Sequence, residues 1–346
     1  MQIKRVGLLT GGGDAPALNA FIRAAVVRLI HGGASAVGIA DGWRGMIDAS
    51  GRELSPADVA GIAAEGGTIL GASRTNPFKN PERDLPRIAE GWCRLGLDAL
   101  IAVGGDDTLG VAERLHRESG LGVVGVPKSI DNDLPGTDCA FGFHSAVEAA
   151  ARAMDDLAAT ARAHRRVLVV ECMGRHSGWI AAYAGVAAGA DYVVVPEEPL
   201  DVAGLCRRLT ASRAAGRQHN IVAVAEGVEL GGELVTADGG RDDFDHERLG
   251  GVGELLARLI AMKTGLECRH VVLGHLQRAG RPTAFDRILA TRYGVFAAEM
   301  ALAGQFGRMA VLRGSELAAV PMDAAVGRTR PLDEDFRKMM RMFFTG

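Results

Sequence analysis

The sequence is poor in aromatic residues, in cysteine and in long apolar runs, and it has no excess of charge of either sign. Phe, Trp and Tyr make up 5% of its 346 residues. Lys and Arg number 39 against 42 Asp and Glu, so the formal net charge is −3 and a strongly basic nucleic-acid surface is excluded. No apolar run approaches the ~18 residues of a transmembrane helix. We therefore expect a soluble protein with neither a nucleic-acid nor a membrane partner.

The five cysteines are scattered, with no C-x-x-C pair. An odd, dispersed set is typical of reduced, cytoplasmic proteins rather than of disulfide-rich secreted ones. The first ten residues are basic and then apolar, but they run directly into three glycines, which indicates a strand entering a loop and not a signal peptide. The predicted location is the cytoplasm.

Glycine, by contrast, is abundant: the chain has 47, near twice the usual ~7%. Without a repeat to explain them, these glycines indicate turns and close backbone approaches. Short apolar runs alternate with amphipathic stretches, which predicts parallel α/β layers. The candidate strands are Val6–Thr10, Ala36–Ala40, Ala99–Val103, Gly122–Val126, Val167–Glu171, Tyr192–Val195, Ile221–Ala225, Val271–Leu273 and Met309–Leu312. The candidate helices are Ala17–Ile30, Ala146–Ala163, Val202–Ala214, Gly253–Thr264 and Ala284–Leu302. A further helix is predicted to begin at Ser55-Pro56.

Four loops after candidate strands carry residues suited to phosphate chemistry, and ligands of an open parallel sheet bind beyond the carboxyl ends of its strands. Loop 10–16 (TGGGDAP) either brings backbone amides to an anion or makes a tight strand–helix turn. Loop 104–108 (GGDDT) has two carboxylates that either hold Mg²⁺ or cap a helix. Loop 127–133 (PKSIDND) offers a proton acceptor and a cation, or else an Asx-rich turn. Loop 171–178 (ECMGRHSG) is the fourth.

Several cationic side chains also flank strand ends, and the planar fork of arginine suits phosphate. They are Arg166, Arg175, Arg269, His275 and Arg278. Together with the glycine and carboxylate loops, they favour a phosphate and metal site.

These motifs resemble the signatures of the phosphofructokinase family. The chain contains, in the family's order, GGDAP at 12–16, GGD at 104–106, IDND at 130–133, MGR at 173–175, Glu226, Arg269, HLQR at 275–278 and PTAFDR at 282–287. The resemblance covers nearly the whole chain. It implies two three-layer α/β/α domains with mostly parallel sheets and the active site in the cleft between them. It also implies Mg²⁺-dependent phosphoryl transfer to the C1 hydroxyl of fructose 6-phosphate.

The resemblance implies a role for each matching residue. The catalytic set would be Asp131 as the base, with Asp133, Lys128 and Arg175, and Asp106 would bind the metal. The donor would be held by Gly12, Arg74, Gly105, Asp107 and Lys128. The sugar phosphate would be held by Ser129, Arg166, Met173, Gly174, Arg175, Glu226, Arg269, His275 and Arg278.

The resemblance also implies a domain organisation. Residues 1–141 with 282–332 would form the larger, donor-binding domain. Residues 142–281 would form the smaller, sugar-phosphate-binding domain with a surface insertion at 229–248, and 333–346 a C-terminal helix. In the family, the equivalents of Arg166 and Arg269 reach a neighbouring active site, which implies a homo-oligomer, either a dimer or a tetramer.

Two positions bear on the phosphoryl donor. ATP-using members of the family generally have glycine at the positions of Asp107 and Lys128, whereas Asp and Lys are typical of pyrophosphate users. An Asp side chain would fill the space of the α-phosphate and ribose and repel the anion, and Lys128 would bind the compact pyrophosphate. The simpler alternative is that Asp107 caps a helix and Lys128 points to solvent.

The preferred hypothesis is therefore a pyrophosphate-dependent phosphofructokinase. An ATP-dependent phosphofructokinase and a non-catalytic sugar-phosphate-binding paralogue are the alternatives. A nicotinamide-binding dehydrogenase is disfavoured because loop 10–14 lacks the G-x-G-x-x-G spacing. Ala279 and Arg281 depart from the family's usual run, so another acceptor such as sedoheptulose 7-phosphate stays open.

Overall fold

Two sheets organise the chain in the computed structural model, which describes residues 2–241, 243–245 and 247–344. Residues 2–145, 243–245 and 278–328 form one compact unit, and residues 146–241, 247–277 and 329–344 form a second. Mostly parallel strands alternate with helices in both, so the α/β prediction is confirmed. The donor-binding and sugar-binding roles assigned to the two parts of the chain stay predictions.

The first half of the chain contains six strands and five helices within the described residues. The strands are β1 (Arg5–Thr10), β2 (Ser35–Ile39), β3 (Gly51–Leu54), β4 (Ala99–Gly104), β5 (Val123–Ser129) and β6 (Phe141–Gly142). The helices are α1 (Leu18–His31), α2 (Trp43–Ile47), α3 (Pro81–Leu95), α4 (Asp106–Ser119) and α5 (Phe143–His164).

The rest of the described chain adds ten strands and five helices. The strands are β7 (Val167–Cys172), β8 (Tyr192–Val194), β9 (Asn220–Ala225), β10 (Glu229–Leu230), β11 (Glu233–Leu234), β12 (Thr236–Arg241), β13 (Glu247–Leu249), β14 (Cys268–Val272), β15 (Arg308–Arg313) and β16 (Glu316–Pro321). The helices are α6 (Trp179–Ala187), α7 (Val202–Ala214), α8 (Val252–Thr264), α9 (Ala284–Leu302) and α10 (Glu334–Phe344). Across the described ranges, no helix is both long and apolar enough to cross a bilayer.

The sheet of the first unit has the order β16-β15-β5-β4-β1-β2-β3, with β6 paired to β5. Pairings among β2, β1, β4, β5 and β15 are parallel, and the edge strands β3 and β16 run antiparallel. The inner strands β4 and β5 are buried along their whole length, which is why they are continuous apolar runs in the sequence. The chain leaves β1 for β2 on one side and later returns to β4 on the other. The β1–β4 border is therefore a topological switch point, where such sheets bind ligands.

The sheet of the second unit has the order β14-β7-β9-β8, and all three pairings are parallel. Cys172 pairs with Ala225, so the loops after β7 and β9 leave the same edge of the sheet. The segment expected to be a surface insertion contains two short antiparallel hairpins, β10–β11 and β12–β13.

The prediction that a helix begins at Ser55-Pro56 is wrong. Residues 56–59 form a turn that reaches Gly61, whose φ is +82°. The Asp58 carboxylate accepts hydrogen bonds from the Ser55 amide (2.8 Å) and hydroxyl (2.5 Å). These bonds, with that of Arg52, hold the Asp58 pKa well below its usual range. The capping chemistry is present, but it closes a turn and not a helix.

Candidate active site

The glycines at the switch point of the first unit allow the ends of β1 and β4 to pack against one side chain. The Gly11 amide donates a hydrogen bond to the Val103 carbonyl at 2.9 Å. A Cβ at Gly11 would lie 2.5 Å from Thr108 Oγ1, and one at Gly104 would overlap the same side chain. Thr108 is buried in the first turns of α4. These glycines are thus required by the approach of α4 to both strand ends.

Gly12 connects this switch point to the segment that carries Arg74. Its φ is +74°, a conformation that favours glycine, and its amide donates to the Ser73 carbonyl at 3.0 Å. Arg74 is therefore the residue directly after Ser73, whose carbonyl accepts the hydrogen bond of the Gly12 amide. The amides of Gly11 and Gly12 are thus engaged with backbone carbonyls and shape the loop. Anion binding by loop 10–16 stays a prediction.

Lys128 lies inside the first unit, with 4% of its surface exposed. Its Nζ donates a hydrogen bond to the Gly13 carbonyl, and a Cβ at Gly12 would be 3.7 Å from Nζ. Burial lowers its pKa to about 7, and the nearby Arg278 cation contributes in the same direction. The alternative that Lys128 points to solvent is wrong: the ammonium group lies on the glycine loop.

Arg278 also contacts this loop. Its Nη1 donates to the Asp14 carbonyl at 2.7 Å, and a Cβ at Gly13 would lie 2.8 Å from the same nitrogen. Lys128 and Arg278 thus bind the carbonyls of two successive residues, Gly13 and Asp14. The sequence assigned Arg278 to the sugar phosphate, and its observed partner is the glycine loop of the first unit.

The turn after β5 is buried and internally hydrogen bonded. The Ser129 hydroxyl donates to Asp133 Oδ1 at 2.8 Å and accepts from the Asp131 amide at 3.1 Å. Asn132 has a φ of 52°, and its side-chain oxygen accepts from the Ala140 amide at 3.1 Å. The local turn is therefore closed by Ser129, and Asn132 ties it to Ala140, so the Asx turn considered for this loop is not what these hydrogen bonds show. They hold Asp131 at the carboxyl end of β5 with 7% of its surface exposed.

Asp106 and Asp107 lie in the first turn of α4, after Gly105 at the N-cap. Neither residue is the cap itself, so the capping explanation considered for them is wrong. Both carboxylates are half-buried, and Asp106 Oδ1 accepts from the Gly327 amide at 2.7 Å. Negative charge is favourable at a helix N-terminus, which stabilises the two carboxylates beside the switch point.

The loop after β7 in the second unit is tightly folded. Gly174 has φ 152° and Arg175 has φ 50°. Glu226, which follows β9, accepts from the amides of Gly174 (3.2 Å) and Arg175 (3.0 Å) through Oε1. A Cβ at Gly227 would overlap the Arg175 carbonyl, so glycine is required there. The structure thus joins Met173, Gly174, Arg175 and Glu226 in one site.

Gln277 extends this site to the segment after β14. Its side-chain oxygen accepts from the Met173 amide at 3.3 Å, and its amide group donates to the Gly274 carbonyl at 3.1 Å. Gln277 is fully buried, whereas the neighbouring His275 is exposed. Because β14 and β7 are parallel, His275 leaves the same sheet edge as Met173.

Arg166 and Arg269 lie at the opposite edge. Arg166 precedes β7, and Arg269 pairs with Leu168 near the beginning of that strand. Both contact Glu267, at 3.4 Å and 3.1 Å. Five residue steps of about 3.3 Å put roughly 16 Å between the two ends of β7. Within one chain, Arg166 and Arg269 are therefore remote from Arg175 and His275. Their assignment to a neighbouring active site stays a prediction.

Two acidic side chains, the buried Glu171 and the half-buried Glu197, had no role assigned from the sequence. Glu171 is 1% exposed and accepts from the amides of Gly251 (3.2 Å) and Gly253 (2.8 Å), so it caps α8. Glu197 accepts from the amides of Gly178 and Leu332. Neither has a local motif, because its partners come from elsewhere in the chain. Cys172 is buried, and its pKa is raised by burial and by Glu171 and Glu226, so it is a packed thiol with little reactivity.

Parallel α/β layers with cations and carboxylates at their strand ends define a phosphate-handling α/β protein. A family model described as phosphofructokinase matches residues 5–301. The pyrophosphate--fructose 6-phosphate 1-phosphotransferase of Streptomyces coelicolor is 48% identical over 98% of this chain and 99% of that protein. ATP-dependent 6-phosphofructokinase 3 of the same organism is 46% identical over 93% of this chain and 94% of that protein.

A solved structure shows the same relationship. The phosphofructokinase of Pichia pastoris in the T-state matches with a TM-score of 0.82 and 32% identity over 94% of this chain. This chain spans 35% of the length of that yeast chain. The chain belongs to the phosphofructokinase family, and the family resemblance of its motifs is confirmed.

Proposed function

We propose that this chain is a pyrophosphate-dependent 6-phosphofructokinase. It transfers a phosphoryl group reversibly from pyrophosphate to the C1 hydroxyl of fructose 6-phosphate, giving fructose 1,6-bisphosphate and phosphate. The observation that carries the donor assignment is the buried Lys128 on the glycine loop, together with Asp107 in the first turn of α4.

The donor assignment depends on these two side chains, because overall sequence identity does not distinguish pyrophosphate-using relatives from ATP-using ones. Relatives named for pyrophosphate and for ATP are 48% and 46% identical to this chain. A carboxylate at position 107 repels a third phosphate and occupies space that a nucleotide needs. The Lys128 cation, with Arg278 on the next carbonyl of the loop, offsets the charge of a compact dianion.

Asp131 accepts the proton of the C1 hydroxyl as the hydroxyl oxygen forms its bond to phosphorus. The bond to the bridging oxygen of pyrophosphate breaks, and phosphate leaves with that electron pair. The hydrogen bonds of Ser129 and Asn132 fix the turn and keep the Asp131 backbone in place. Arg175 offsets negative charge on the transferring group.

Mg²⁺ fits the oxygen ligands of the α4 turn, where Asp106 would hold it. Among the described residues, three or more His, Cys, Asp or Glu side chains do not gather into a metal cluster. One or two carboxylates, with waters and substrate phosphates, are the usual Mg²⁺ environment. When bound, the ion neutralises phosphate oxygens of the donor.

Glu226 binds sugar hydroxyls in this proposal, with Met173 and Gly174 beside it and His275 at the same sheet edge. Arg166 and Arg269 serve the 6-phosphate of a neighbouring copy. Their position at the opposite edge of β7 supports this assignment, because they cannot reach the sugar site of their own sheet edge. The working enzyme is then a homo-oligomer.

Asp131→Asn tests the chemistry directly. Losing a general base should lower kcat by about 10²–10⁴-fold, while the KM values for both substrates stay within about threefold. The matched control is Asp138→Asn, an exposed acid seven positions further on, which should keep the wild-type rate. An Asp131→Asn enzyme with undiminished kcat would remove this residue from the mechanism.

A further inference from the structure

The backbone of loop 174–178 needs support from outside the loop. Arg175 holds a left-handed φ of 50°, which non-glycine residues rarely adopt. Such a conformation persists where surrounding contacts fix it. Inside the loop, the Gly174 carbonyl accepts from the Ser177 amide (2.9 Å) and hydroxyl (3.0 Å). The two ends of the loop are then held by two different glutamates.

Glu226 holds the first end through the Gly174 and Arg175 amides, and Glu197 holds the last. The Gly178 amide donates to both carboxylate oxygens of Glu197, at 3.0 Å and 3.1 Å. A Cβ at Gly178 would lie 2.7 Å from Glu197 Oε2, so glycine allows this approach. Gly178 is the N-cap of α6 and has no side chain to accept hydrogen bonds from the helix amides. Glu197, from another part of the chain, binds the amide of Gly178 itself, where the helix begins.

Glu197 is held in turn by the C-terminal segment 330–344. The Leu332 amide donates to Glu197 Oε1 at 2.8 Å. The same segment contacts α6 directly, because Trp179 Nε1 donates to the Arg330 carbonyl at 3.2 Å and the Arg330 guanidinium lies 4.4 Å from the Trp179 ring centroid. One turn further along α6, the Tyr183 ring stacks on Phe336 of α10 at 4.3 Å.

We propose that Glu197 is a positioning residue that couples the C-terminal segment to the loop carrying Arg175, and thereby sets the affinity for the sugar phosphate. The inference takes its substrate from the proposed function. The link between Glu197 and the loop carrying Arg175 rests on the hydrogen bonds described above. Weakening the Glu197 contact frees the last residue of the loop and lets Arg175 leave its left-handed conformation.

The chain offers a matched control in the next residue. Glu198 binds the same C-terminal helix through Arg337 (3.2 Å) and Arg341 (2.6 Å). A Glu198→Gln variant therefore removes a comparable charge next to Glu197 while leaving both the Gly178–Glu197 bonds and the Leu332–Glu197 bond intact.

The kinetic experiment compares Glu197→Gln and Glu198→Gln with the wild type, using fructose 6-phosphate, pyrophosphate and Mg²⁺. Loss of charge-assisted hydrogen bonds should raise the KM for fructose 6-phosphate about tenfold in Glu197→Gln. The KM for pyrophosphate should stay within about twofold, and Glu198→Gln should change neither. An equal rise of both KM values in Glu197→Gln, or the same rise in Glu198→Gln, would overturn the proposal. If Glu197→Gln does not fold, Glu197→Asp should give the same selective rise.

Amide hydrogen exchange supplies a readout that does not need turnover. Exchange at residues 174–178 should be at least about tenfold faster in Glu197→Gln and unchanged in Glu198→Gln. Unaltered exchange in Glu197→Gln would refute the coupling. A wild type that does not use pyrophosphate would refute the proposed function instead, and the exchange rates would still decide whether Glu197 fixes the loop.

Discussion

Replacing Lys128 by methionine should weaken pyrophosphate binding selectively. Methionine keeps an unbranched side chain of similar length in this buried position but removes the cation and its hydrogen bond to the Gly13 carbonyl. A hydrogen bond involving a charged group is worth about 1.5–3 kcal/mol, and every 1.4 kcal/mol is a factor of ten. The KM for pyrophosphate should therefore rise about 10- to 100-fold.

The assay is the initial rate of fructose 1,6-bisphosphate formation at saturating fructose 6-phosphate and varied pyrophosphate. The KM for fructose 6-phosphate should stay within about twofold, because Ser129 and Asp133 keep their hydrogen bond without Lys128. Lys263→Met, at an exposed position of α8, is the matched control and should behave as the wild type. The reasoning fails if Lys128→Met keeps its pyrophosphate KM, or if both KM values rise together.

Three further predictions concern charge and assembly. The pKa of Lys128 is lowered to about 7 by burial and by Arg278, so raising the pH through 7 removes its charge. The pyrophosphate KM should then rise about tenfold per pH unit above 7, whereas Lys128→Arg should lack this rise. The lowered pKa also means that the folded state binds fewer protons than the unfolded state between about 7 and 10.5, so Lys128 contributes an unfolding free energy that increases with pH in that window. Mixing inactive Asp131→Asn and Arg269→Ala proteins under subunit exchange should restore part of the activity, because hybrid sites combine one intact Asp131 with one intact Arg269. A mixture that stays inactive after hybrids are verified would contradict the shared site.

Much of the fold was predictable because hydrophobic periodicity and breaker residues act locally. The helices Val202–Ala214 and Ala284–Leu302 have the bounds that the pattern predicts, and the nine candidate strands are all present with small shifts. Helix α3, by contrast, went unpredicted, since Pro86 interrupts its pattern. At Ser55 a helix was predicted where the structure has a turn. The hydrogen bonds between Ser55 and Asp58 resemble a helix cap, but local hydrogen bonds alone do not continue a helix.

The positions of candidate site residues were predictable where they follow strand ends in the sequence, and their roles stay predictions. Asp131, Arg175 and Glu226 are of this kind, whereas Lys128 lies within β5. Arg269 shows the limit: β14 begins at Cys268, three residues earlier than the apolar pattern indicates. That shift moves Arg269 from a position flanking the strand to one near its first residue. The contacts of Glu171 and Glu197 were not predictable, because a carboxylate that binds backbone amides of a distant segment leaves no spacing pattern in the sequence.

The most direct test of the central claim is the initial rate with fructose 6-phosphate and Mg²⁺, measured with pyrophosphate and with ATP as donor under identical conditions. Because the proposal assigns the donor to Asp107 in the first turn of α4 and to the buried Lys128 on loop 10–16, the rate with pyrophosphate should exceed the rate with ATP by at least about 100-fold. Turnover with ATP alone would keep the family and contradict the donor assignment.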